Sequence, residues 1–245
     1  MHLKSFLTVC GILALIGCGG GGIEEKVEDT YPSGAKKKVV TYKGGNDSIR
    51  STFYFEDGTI QSDRFYKDDL IDSVMVINNQ EGQTIQQCYY KKGKQHGTEK
   101  KWYDDGTLKS ETKYENGAPV GKSVSYFKDG QIQKETTYKD GKKDGKETVY
   151  YPDGTVKHVL NYKAGNQEGL EQEFYKNGKI KAEKNWKNNL LDGPFVTYHS
   201  NGNKEETGTY KEGNYDGARK MYSEAGRLMS KATYENGERV SAEAF

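Results

Sequence analysis

EKKWYDDGTLKSETKYENG, residues 99–117, holds two short runs of strand-forming residues and two turn signals. Asp104-Asp105-Gly106 suits a type I turn whose last residue is left-handed and closes a G1 bulge. Asn116-Gly117 is a two-residue hairpin signal. The first turn places Trp102 opposite Leu108. Strand side chains alternate, so Leu108, Ser110, Thr112 and Tyr114 are expected on one face with Trp102. Neither connection is long enough for a crossover, so the strands run up and down as an antiparallel sheet.

The stretch is one copy of a repeat. Gly34, Gly58, Gly82, Gly106, Gly130, Gly154, Gly178, Gly202 and Gly226 follow one another at intervals of 24 residues without an insertion. Eight residues after each stands an aromatic, from Tyr42 to Tyr234, with Trp186 among them. Four before it, seven of the nine units carry another: Tyr54, Trp102, Tyr126, Tyr150, Phe174, Tyr198 and Tyr222. Ile60, Leu108, Ile132, Val156, Ile180 and Leu228 stand two after it, and a second glycine stands eleven after it in all units but those of Asp69 and Asn189. Asn and Asp best replace glycine at left-handed dihedrals. Each unit buries its face against its neighbours, so no deep core is required. The expectation is an all-β, elongated single antiparallel sheet of about nine stacked hairpin units over residues 30–245.

Composition fits. Among 245 residues, 33% are hydrophobic, 30 are Gly and only 4 are Pro, while 29 aromatics (19 Tyr, 8 Phe, 2 Trp) argue against a disordered chain. The mean hydropathy of −0.98 is too low for a polytopic membrane protein. With 37 Lys plus Arg against 36 Asp plus Glu, the chain lacks the cation excess of a general nucleic-acid binder.

The first residues read as processing signals. Lys4 precedes an apolar run from Phe6 to Ile16, too short to span a bilayer. It ends in Leu15-Ile16-Gly17-Cys18, which resembles the bacterial lipobox. That resemblance implies cleavage after Gly17 and lipid on Cys18, with the membrane as a partner through that lipid. Residues 1–17 are expected as the signal peptide and 18–29 as a Gly-rich, acidic tether. Gly19, rather than Asp, after the cysteine resembles outer-membrane lipoproteins of the cell envelope. Removing residues 1–17 takes away Lys4 and no acid, leaving 36 of each sign, and leaves Cys88 as the remaining thiol.

The pattern Gly121, Tyr126, Phe127, Asp129-Gly130, Ile132, Tyr138 resembles the MORN repeat family in its variant bacterial class. Gly145 to Tyr162 shows it again. The resemblance weakens toward the N-terminus, where Asn78 and Asn79 replace the paired aromatics and Ile49 and Ser73 replace a glycine; weak terminal units act as caps. Many bacterial members are catalogued as YwqK-like antitoxins of toxin–antitoxin systems, so the resemblance implies an antitoxin role.

Candidate sites are few. His96, His158 and His199 fall at three different repeat positions, and no nucleophile elbow, phosphate loop or zinc-ligand spacing occurs. No catalytic residue, metal site or cofactor is expected, and the chain is read as non-enzymatic. Asp72, Asp144, Glu168, Asp192 and Asp216 form an acidic ladder. Members in successive units stand two strands apart, about 9.5 Å, too far to share a calcium ion. Nine after the turn glycine comes a lysine row that includes Lys139, Lys163, Lys187 and Lys211. Three before it comes an aromatic row that includes Tyr103, Phe127, Tyr151 and Tyr175. Alternation puts both rows on the outer face, a candidate surface for a partner protein, an anionic lipid or a glycan. Cys88, at a position of small and aliphatic residues, is expected to pack inward.

Overall fold

The computed structural model describes residues 11–15 and 22–245, and among these every regular element is a strand. The leader and Cys18 thus lie largely or wholly outside the described residues. Two compact units are present, residues 1–118 and 119–245. In each, strands joined by tight turns pair antiparallel with their neighbours in sequence.

Both turn types form as the residues demand. In the first, the Gly106 N–H donates to the Tyr103 carbonyl and the Tyr103 N–H to the Thr107 carbonyl, each 2.9 Å, with Gly106 at φ 82°. Trp102 pairs with Leu108, as expected. The Asp105 carboxylate accepts the Thr107 N–H at 3.0 Å, and Asp129 and Asp153 do the same in their own turns. In the second turn both central residues are left-handed, as in Asn116 (φ 52°) and Gly117 (φ 87°). That is the I′ geometry matched to sheet twist.

The single face expected for Trp102, Leu108 and Tyr114 does not form. The register slips by one residue between Leu108 and Ser110, so Ser110 pairs with Lys101 and Thr112 with Glu99. Lys101 and Trp102 are successive, so they point to opposite sides, and Trp102 with Leu108 leaves the face of Ser110, Thr112 and Tyr114. The same split recurs in the second unit. Thr136 donates to Glu147 at 2.8 Å on one side, while Tyr150 donates to Glu135 at 3.3 Å on the other. A bulge re-aims a strand, and the G1 turn places one in each hairpin.

The face of the later aromatics carries the deepest side chains: Cys88 (1% exposed), Val40 and Thr136 (3% each), and Phe195 (4%). Phe195 lies against Tyr210 with ring centroids 4.9 Å apart, and Tyr210 stacks on Tyr215 at 4.5 Å.

The acidic segment is not all tether. Ile23–Thr30 is a strand paired with Lys36–Lys43. Two ion pairs accompany the backbone ladder: Asp29 meets Lys37 at 2.8 Å and Glu28 meets Lys38 at 2.7 Å. The Lys36-Lys37-Lys38 run therefore faces an acidic neighbour strand. Gly11–Leu15 forms a further strand against Ile23–Thr30.

Candidate binding surface

The acidic ladder has a structural task. Asp72 accepts the Lys92 N–H (3.1 Å), Asp144 the Ala164 N–H (3.0 Å), Glu168 the Asn188 N–H (2.9 Å) and Asp192 the Glu212 N–H (3.1 Å). Each carboxylate thus caps the I′ turn that follows in the next repeat. Beside it the second residue of that turn, Gly165 for example, donates to the preceding repeat's backbone at Lys143, 2.8 Å away. Among the described residues no three His, Cys, Asp or Glu side chains gather closely enough to hold a metal ion.

The aromatic row is also tied into the fold. Tyr151 donates to the Phe174 carbonyl at 2.9 Å and Tyr175 to the Tyr198 carbonyl at 2.6 Å, each reaching one repeat ahead. His199, at the same repeat position, sets its Nε2 2.9 Å from the Tyr222 carbonyl oxygen. Tyr103, Phe127, Tyr151 and Tyr175 are all half-buried. Lys157 and Lys176 lie over the Tyr151 ring at 5.7 and 5.9 Å, and Lys109 over Tyr103 at 5.3 Å.

Lys139, Lys163, Lys187 and Lys211 are exposed, each ending a strand just before an I′ turn. None of the four enters an ion pair among the described residues. The two rows expected to form one surface therefore stand at opposite ends of the hairpins. One strand of eight residues such as Ile132–Lys139 separates them, about 25 Å. Lysine heads in successive repeats stand two strands apart, about 9.5 Å.

The histidines stay apart, as their spacing implied. His158 sits between Glu171 and Glu173, 3.5 Å from each carboxylate, and Glu171 also accepts the Trp186 indole N–H at 2.6 Å. Cys88 is packed inward, and burial pushes its thiol up, with Glu99 adding to the effect. A thiol so placed is a poor nucleophile.

A cleft in the first unit has no counterpart among the sequence candidates. It is an open depression of about 470 Å³ bordered by Gln87, Tyr89, Gly97, Thr98, Lys100 and Glu111. Gln87 pairs with Lys100 and Lys100 with Glu111, so the three stand side by side on adjacent strands and on one face. Tyr89 and Thr98, two residues along their strands, share that face. The available signal was a departure from the repeat. Seven after the turn glycine the other units carry Thr41, Phe65, Lys113, Thr137, Asn161, Asn185, Thr209 and Thr233, and Tyr89 stands there beside the periodic Tyr90.

The family model described as MORN repeat variant matches residues 50–68, 95–116, 119–140, 143–164, 167–188, 191–212 and 215–236. The units of Gly34 and Gly82 lie outside these matches, where the aromatic pattern is weakest. No curated protein matches the chain. Among solved structures, the Photorhabdus luminescens Tc holotoxin pore is similar at 14% identity and a TM-score of 0.22, over 88% of this chain and 12% of that one. The TcdB2-TccC3 structure is similar at 8% identity and a TM-score of 0.22, over 89% of this chain and 16% of that one. Scores of this size define neither a shared fold nor a shared activity.

Proposed function

The chain belongs to the MORN repeat variant family, and from that premise we propose that it is a non-enzymatic scaffold of the bacterial cell envelope. In this reading lipid on Cys18 holds it to a membrane, in outer-membrane fashion, and the repeat array offers its surface to a partner protein. The lipobox-like ending at Cys18 supports the anchor, since several acyl chains on one residue give stable attachment where a single chain does not. The observation that carries the binding role is the row of exposed, unpaired lysines, Lys139, Lys163, Lys187 and Lys211. Asp72, Asp144, Glu168, Asp192 and the hydroxyls of Tyr151 and Tyr175 are engaged between repeats, whereas the lysine heads are open to a ligand.

Crosslinking on intact cells through surface lysines, followed by mass spectrometry, tests the role. The expected result is one dominant partner protein, lost when Lys139, Lys163 and Lys187 are changed together to Glu. The reading fails if crosslinking captures nothing above a strain lacking the chain. An envelope binder instead predicts salt-sensitive sedimentation with anionic liposomes, weakened by the same triple change. The antitoxin role implied by the family resemblance makes a separate demand: a protein whose overproduction is harmful and whose effect this chain relieves.

A further inference from the structure

We propose that the cleft over Tyr89 is a saccharide-binding site, independent of the lysine row and of the anchor. The repeat does not demand the Tyr89 ring. At its position most units carry Thr or Asn, and Tyr89 leaves 41% of its surface open. The Tyr89 side chain packs over Gly97, where an added Cβ would stand 3.2 Å from the Tyr89 Cβ and 3.6 Å from its Cγ. Gly97 is thus the floor that lets the aromatic lie close to the sheet, with its free surface toward the cleft.

The rim supplies both senses of hydrogen bonding. The Gln87 amide donates to the Tyr89 hydroxyl at 3.0 Å and keeps its carbonyl oxygen as an acceptor. Lys100 and Glu111 stand 3.9 Å apart, beyond hydrogen-bond length, so each head retains capacity toward a ligand. Thr98 adds a hydroxyl. Strand spacing sets Gln87 and Glu111 about 10 Å apart, across Lys100.

These groups select a class of ligand. One cation and one anion leave the cleft without net charge, so a phosphate would meet Glu111 and an ammonium would meet Lys100. A neutral pyranose has an apolar C–H face for the tyrosine ring and a rim of hydroxyls that both donate and accept. Amide, ammonium, carboxylate and hydroxyl groups match that rim.

Titration calorimetry of the protein with cellotetraose, maltotetraose and chitotetraose tests the proposal. At least one tetrasaccharide is expected to bind. Tyr89→Thr, which installs the residue common at this repeat position, is expected to weaken binding about tenfold or more, the scale of losing a contacting aromatic. Tyr89→Phe keeps the ring and is expected to stay within a few-fold of the native protein. Glu111→Gln provides a second variant that leaves the ring and its floor untouched, and it too should weaken binding. Absence of binding by all three sugars overturns the site, as does native-like affinity in Tyr89→Thr. Loss of the lysine-dependent crosslink leaves this site intact, so the two readings fail separately.

Discussion

Single residues in this chain either obey the repeat or show what departing from it costs. Ser73 takes φ 98°, a conformation that Gly97, Gly121, Gly145, Gly169, Gly193 and Gly217 supply at the same repeat position. A side chain held there stores about 1–3 kcal/mol. Ser73→Gly is therefore expected to raise the melting temperature, and an unchanged or lower value would show that Ser73 earns its place through a contact. Asp192 caps the Glu212 N–H at the next turn. Asp192→Ala should cost about 1 kcal/mol in denaturant unfolding, and Asp192→Asn, which keeps an acceptor, distinctly less. Glu147 bears on pH. Burial raises its pKa, but hydrogen bonds from Lys143 and Thr136 outweigh burial and leave it below its ordinary 4.5. A carboxylate depressed in the folded state stabilises above its unfolded pKa and loses that contribution as pH falls through the folded value. Stability is thus expected to drop below about pH 4.5, and Glu147→Gln to flatten that drop in a pH series of urea midpoints.

At the scale of elements, the hairpin is legible in the sequence to a considerable depth. The glycine and aromatic spacing gave both turns, their left-handed positions and the Trp102–Leu108 pairing. It did not give the faces. Strict alternation carries a side-chain pattern across a turn only where the register is even. The bulge between Leu108 and Ser110 moves one aromatic row to the other side of the sheet. Nor does alternation distinguish the two ends of a hairpin, so by it alone Tyr151 and Lys163 share a surface although a strand length divides them. The acidic ladder was visible as residues but not as caps, because its partners are backbone N–H groups, which no side-chain pattern reveals. Packing between neighbouring strands is checked at Gly208. A Cβ there would stand 2.6 Å from the Phe195 Cε1, so the ring must move. Gly208→Ala is expected to destabilise by about 1–3 kcal/mol. Adding Phe195→Leu should recover part of that loss if the clash is its cause.

Across the molecule as a whole, balanced charge conceals an unequal distribution. The 37 basic and 36 acidic residues nearly cancel, yet Asp72, Asp144, Glu168 and Asp192 cap backbone turns while Lys139, Lys163, Lys187 and Lys211 stand open at the hairpin ends. Among the described residues no helix is long and apolar enough to cross a membrane, and the attachment proposed above is through lipid on Cys18. The most direct test is fractionation of cells expressing the native chain or Cys18→Ala. The native protein is expected to sediment with membranes and to be released by detergent but not by high salt, while Cys18→Ala moves to the soluble fraction and migrates differently on a gel. Cys18→Ala that remains in the membrane pellet with unchanged mobility would contradict it.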